Sequence, residues 1–231
     1  MSPSTHNPNV STDCVVFGFD QDELKVLLIE QKSEPSQGLK IQYALPGDLV
    51  LQDEALDEAA ERVLFELTQL KGIYLKQFYT FGSVDRVKNV KDQDWLRTFR
   101  EDPSARVITV AYYSLVKMDE YEPHAASFAG KAEWVNINDI PPLAFDHNEI
   151  LDMGLERLRE ELETKNIGFE LLPEKFTLSQ LQRLYEIILD KKLDKRNFRK
   201  KLKNMSSIKA LNEKQTGVLH KPAQLYTYEK D

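Results

Sequence analysis

Between Pro46 and Leu70 the chain reads PGDLVLQDEALDEAAERVLFELTQL. A proline-glycine turn leads to the carboxylate of Asp48, then to Glu54, then to a helical run with Arg62 and Glu66 one turn apart. Carboxylates gathered on such a helix face could hold a hard divalent cation, which takes oxygen ligands at short distance. Two positions suited to further acids carry Val63 and Leu67 instead. They are four apart, so they share a helix face, and neither can ligate anything. Glu66 alone would leave a cation mostly to water and substrate, without the field that activates water. An ion pair explains Glu54 and Arg62 without catalysis. No catalytic residue is assigned, and neither a metal nor another cofactor is expected.

A second stretch carries the opposite charge. From Lys191 to Lys203, KKLDKRNFRKKLK holds eight Lys and Arg and one Asp. Phe198 and Leu202, four apart, can anchor one helix face and leave Arg196, Asn197, Arg199, Lys200 and Lys203 to project. A charge run is most often a solvated face. Here a helix precedes it through a short turn, as a helix-turn-helix requires. His220 and Lys221 follow in a wing-like loop. Arg and Asn can contact guanine and adenine edges, while lysines neutralise phosphate. Together with Thr177 and Ser179 at the start of the preceding helix, and Lys195, these residues form the expected DNA-binding set.

The chain has 231 residues and a net charge of −7, which conceals an asymmetry. Residues 171–231 hold 14 Lys and Arg against 7 Asp and Glu; residues 1–170 hold 17 against 31. Such a sign change implies two jobs, one of them with a polyanion. No apolar run is long enough for a transmembrane helix, and the first residues lack the pattern of a secretory signal. Residues 1–11 read as a flexible tail. Cys14 is the only cysteine, so a reducing cytoplasm is the simplest location, and it reads as a small buried hydrophobe. The four histidines are scattered without zinc-type spacing.

The elements needed to position both stretches are legible in part. TDCVVFGF and LKVLLIEQ read as a hairpin. Apolar spacing predicts a helix from Glu54 to Leu70, with Asp53 as its cap and Gly72 past its end. YLKQFYTFGS, RVITVAYYSLVKM and AEWVNI read as strands. VDRVKNVKDQDWLRTFREDPSA is a long polar connection of the sort that tends to be functional. A double-proline break in DIPPLAFDHNE separates domains at 12–145 and 146–231. Beyond it come a helix over HNEILDMGLERLREELETK, a short strand in GFELL and a helix capped by Thr177. The basic helix, capped by Asp194, and two short strands complete the chain. That order is a winged helix-turn-helix.

On these residues the front half resembles a Nudix domain. The family box places glycine, glutamate and an Arg-Glu-apolar-x-Glu-Glu-x-Gly run where this chain has Asp48, Glu54, Arg62, Val63, Leu64, Glu66, Leu67 and Gln69. The resemblance implies an α+β fold, an N-terminal α/β/α sandwich followed by the winged helix-turn-helix, with diphosphate hydrolysis lost. The back half, through FTLSQLQRLYEIILDKKLDKRNFRKKL and KPAQLYTY, resembles the second domain of Nudix-related transcriptional regulators. Within them the nearest likeness is to arabinose-responsive repressors; other members sense ADP-ribose. The family's Asp-Arg-Asp-Pro-Arg run is represented by Asp85 and Arg86, with the proline and second arginine lost to an insertion.

A cleft freed of hydrolysis could bind without reacting. By analogy with the fold, Glu30, Gln42, Tyr43, Asp48, Arg86 and Lys88 would line it, a set suited to the hydroxyls of a neutral sugar such as L-arabinose. The expected protein is a homodimeric repressor that places two basic helices in successive major grooves of operator DNA and releases it when sugar binds. An ADP-ribose sensor, an active hydrolase with an accessory nucleic-acid domain, and a scaffold whose basic helix meets an acidic protein are the alternatives.

Overall fold

The computed structural model describes residues 5–20, 22–33, 40–100, 102–164, 168–217 and 221–229. Two compact units emerge: residues 1–18 with 25–157, and residues 19–24 with 158–231.

The first unit is a sheet between helices, and residues 6–11, expected in a flexible tail, belong to its first strand. Its strands are β1 (His6–Phe19), β2 (Leu24–Ser33), β3 (Lys40–Ala44), β4 (Gly47–Leu51), β5 (Lys76–Phe81), β6 (Ile108–Lys117) and β7 (Lys131–Asn136). They run in the order β3-β2-β1-β6-β5, with β4 paired to β1 and β7 to β2. Helices α1 (Leu56–Thr68) and α3 (His147–Thr164) flank it, and α2 (Gln93–Phe99) follows β5.

The apolar run of β1 is continuous because both of its faces are covered. Cys14 and Val16 join Leu27, Ala60 and Leu64 in a core with α1, while Val15 lies against Gly154 of α3. Cys14 is wholly buried, and that burial pushes its thiol far up, away from the reactive thiolate. Strand register brings Asp13 opposite Gly47. A Cβ at Gly47 would overlap the Asp13 carboxylate, so only glycine fits there.

Helix α1 begins two residues later than its periodicity predicts. Asp53 does not cap it; the Glu58 carboxylate instead accepts from the Ala55 backbone N–H at 2.9 Å. The chain leaves α1 through Gln69, whose φ of +59° is left-handed. This is the position where the box has glycine, and the backbone explains why: a Cβ is strained in that region. Gln69→Gly should therefore stabilise this unit by about 0.5–1 kcal/mol, relief of strain outweighing added chain entropy. The urea midpoint measures it.

The long polar connection is not a loop. It folds as a 3-10 turn at Val90–Asp92 and as α2. Its middle carries Trp95 and Leu96, both buried.

The second unit holds α4 (Leu178–Leu189), α5 (Lys195–Lys203) and the hairpin β8 (Ile208–Lys214) and β9 (Gln224–Tyr228). GFELL is a 3-10 turn, not a strand; Phe169 stacks flat on Tyr228 at 4.3 Å instead. Thr177 caps α4, accepting from the Gln180 N–H, and Asp194 caps α5, accepting from Asn197. Tyr185 of α4 meets Phe198 of α5 edge to face at 5.4 Å, fixing the two helices around Leu181, Leu184, Ile188 and Leu202. Among the described residues, no helix is long and apolar enough to cross a membrane.

Candidate functional site

Val63 and Leu67 on α1 are fully buried in an apolar cluster with Ile29, Ala44, Trp95 and Ala144, with Phe128 and Phe145 against it. Hydrocarbon thus fills the face where cation-holding oxygens would stand. The acids that persist nearby are tied to Arg62. Its guanidinium donates to both Glu54 oxygens at 2.8 and 2.6 Å, to Glu66 at 2.9 Å and to the Leu49 carbonyl at 3.0 Å. That bond from Arg62 holds the Glu54 carboxyl below its ordinary value. The remnant of the box joins α1 to β4. No group of three or more His, Cys, Asp or Glu side chains among the described residues is placed to hold a metal ion.

Beside this cluster lies a cavity of about 50 Å³, reached by Asp13 of β1, Asp48 of β4, Arg86 after β5, Trp95 and Arg100 of the α2 segment, and His147 at the start of α3. Arg86 organises one wall. It donates to Asp146 at 2.9 and 2.8 Å and to Asp13 at 3.3 Å. His147 Nδ1 accepts from the Leu45 N–H at 3.0 Å, so its other nitrogen carries a proton, directed at Asp13 Oδ1 3.4 Å away. Burial pushes the Asp13 carboxyl up, but His147 and Arg86 outweigh it and hold the group well below its ordinary value. Asp48 lacks such compensation: burial raises its carboxyl although the Leu49 N–H bonds to it. Burial likewise lowers the Arg100 guanidinium.

Of the six residues expected to line the cleft, two do, Asp48 and Arg86. Tyr43 donates to Glu30 at 3.2 Å, across the β2–β3 pair. Gln42 donates to Asp92 at 3.1 Å, whose other oxygen accepts from the Phe145 N–H. Lys88 is exposed and paired with Asp85. None of these four lines that cavity. Asp13, Arg100 and His147 went unrecognised. Asp13 had a signal, an acid at the head of an apolar run; Arg100 and His147 had none.

The basic face is exposed as its spacing requires. Lys195, Arg196, Asn197, Arg199, Lys200 and Lys203 all project from α5, while Phe198 and Leu202 face inward. Ser179 and Lys221 are exposed as well. Thr177 is not: it is 3% exposed and its hydroxyl is committed to the cap of α4, so it offers DNA no side chain. His220 lies outside the described residues.

A sheet sandwich with a degenerate Nudix box, followed by a helix-turn-helix with a wing, defines a class of two-domain proteins. The NUDIX domain family matches residues 7–153, and the NrtR DNA-binding winged helix domain matches residues 168–228. The chain belongs to the Nudix family, in the branch that joins this domain to an NrtR-type winged helix. It is 30% identical over 226 residues, 96% of this chain and 82% of the relative, to the ADPR responsive transcriptional repressor NtrR of Acinetobacter baylyi. The crystal structure of Shewanella oneidensis NrtR complexed with a 27mer DNA is 26% identical, with a TM-score of 0.68 over 95% of this chain and 93% of that one. The NUDIX domain of the same NrtR complexed with ADP ribose is 26% identical, with a TM-score of 0.51 over 67% of this chain and 90% of that chain. The sugar expectation, L-arabinose foremost, finds no support in these likenesses, two of which are to proteins that respond to or hold ADP-ribose.

Proposed function

We propose that this protein is an ADP-ribose-responsive transcriptional repressor of the cytoplasm, whose Nudix unit binds its ligand without hydrolysing it. The observation that carries the reading is the likeness to an ADPR responsive repressor along 96% of the chain. Two features of this molecule support it: exposed Arg, Asn and Lys on α5 over an apolar anchor, and aliphatic side chains at two of the box's acidic positions. A homodimer with two-fold symmetry would set one α5 in each of two successive major grooves. Ligand would weaken DNA binding only by favouring a state that holds DNA poorly, typically by about 1–3 kcal/mol.

The test combines three measurements on the full chain. DNA fragments captured from the native genome should be bound as a dimer, and ADP-ribose should weaken that binding about 5–150-fold. Incubation of ADP-ribose with protein and magnesium should release no AMP. Affinity for DNA that is indifferent to ADP-ribose would defeat the reading, and rapid AMP release would favour a hydrolase. The retained Glu54, Arg62 and Glu66 are what keep that second reading open.

A further inference from the structure

The cavity contains two guanidinium groups in different situations. Arg86 is neutralised by Asp13 and Asp146. Arg100, delivered by the end of α2, has its Nη1 buried without a hydrogen-bond partner. An unmade bond of that sort costs about 1–3 kcal/mol, more on a charged group, and native structures seldom leave one unexplained. Burial of Arg100 is also poorly compensated, its guanidinium being pushed down despite the carboxylates of Asp48 and Asp13 nearby. A planar fork of donors suits phosphate and carboxylate oxygens, and a cavity of about 50 Å³ admits a phosphoryl-sized group.

From this geometry we infer that Arg100 is the phosphate-binding residue of the cavity, its unbonded guanidinium turning into the cavity to donate to a diphosphate oxygen of the ligand. The inference rests on the proposed ADP-ribose reading and gives it a residue. The insertion after Arg86 then has a use. Its helix α2 sets Trp95 into the apolar cluster and returns the chain at Arg100 beside Asp48, supplying a cation that the sequence pattern registered as lost. Arg86 suits this role less well, because its Nε and Nη2 are already committed to carboxylates and its charge is balanced by them.

Calorimetric titration of the full-length wild type, Arg100→Gln and Arg100→Lys with ADP-ribose and with inorganic pyrophosphate tests the assignment. Arg100→Gln should weaken ADP-ribose binding by about 10–100-fold, the worth of a charge-assisted bond. Arg100→Lys should recover part of the loss, since it keeps the charge but not the fork. Melting of the ligand-free variants separates binding from folding: with Nη1 unbonded and burial outweighing the nearby carboxylates, loss of the guanidinium should leave the melting temperature unchanged or raised. Affinity within threefold of wild type in Arg100→Gln, or a ligand-free melting point lowered by several degrees, would overturn the assignment. Should wild type ignore ADP-ribose, the functional reading fails by itself. Pyrophosphate then decides Arg100: binding abolished in Arg100→Gln sustains it, and wild-type indifference to pyrophosphate ends it.

Discussion

Replacing Arg196 and Arg199 together with alanine should cost the protein most of its affinity for DNA. Both project from α5, which Phe198 and Leu202 hold in place from the opposite face. Each Arg that reaches a base edge is worth about 1–3 kcal/mol. The pair therefore accounts for about 2–6 kcal/mol, or about 30-fold to 10⁴-fold in affinity at 1.4 kcal/mol per decade. Any phosphate neutralisation they supply adds a second signature. The slope of log affinity against log salt should flatten by about 0.9 for each phosphate contact removed. Fluorescence anisotropy with a labelled bound fragment at several salt concentrations reads both. ADP-ribose binding and the thermal transition should not change, because neither arginine is buried. Undiminished DNA affinity would take α5 out of the interface.

Arg86→Met should be the most damaging single change to the fold. The Arg86 side chain is 3% exposed, and its carboxylate partners Asp13 and Asp146 are 5% and 13% exposed. Removing the cation while leaving its partners buried typically costs about 3–5 kcal/mol, far beyond the transfer of the side chain itself. The loss should depend on pH in a definite direction. Asp13 is held below its ordinary value of 3.8, so its contribution is present above that value and is lost as pH falls through the folded-state value. Without Arg86 one of the groups depressing it is gone, and burial pushes the carboxyl back up. The deficit relative to wild type should therefore be full where Asp13 is ionised in both folded proteins, and narrow as pH falls from the variant's folded-state value toward the lower wild-type one. Urea unfolding at pH 7 and at acid pH measures this. A deficit independent of pH would mean that Arg86 acts through packing alone.

These two sites differ in how they are encoded. The α5 face could be read directly, since helix periodicity relates Phe198 to Leu202 and leaves the arginines outward with no knowledge of other elements. The same local logic located Asp194 and Thr177 as caps, although it also assigned Thr177 to DNA, where burial removes it. Around the cavity, local logic was insufficient. Glu30, Gln42 and Tyr43 are polar and close to the box in sequence, yet strand pairing directs Tyr43 to Glu30, while Gln42 bonds to Asp92. GFELL failed for a related reason: its apolar side chains serve ring stacking against β9, not a strand ladder.

By itself, the sequence determined the two-part architecture, the aliphatic substitution at Val63 and Leu67, and the basic helix with its apolar anchor. All are matters of residue type at short, regular spacing, which the geometry of one element converts into a face. Tertiary structure alone decided the cavity. Arg86 meets Asp13 across 73 residues and Asp146 across 60, and Arg100 reaches the same space through a helix that composition presents as a polar loop. Which charges meet there depends on sheet register and on where α2 packs. Those are set by burial of apolar surface over the whole unit, a sum that no short stretch contains.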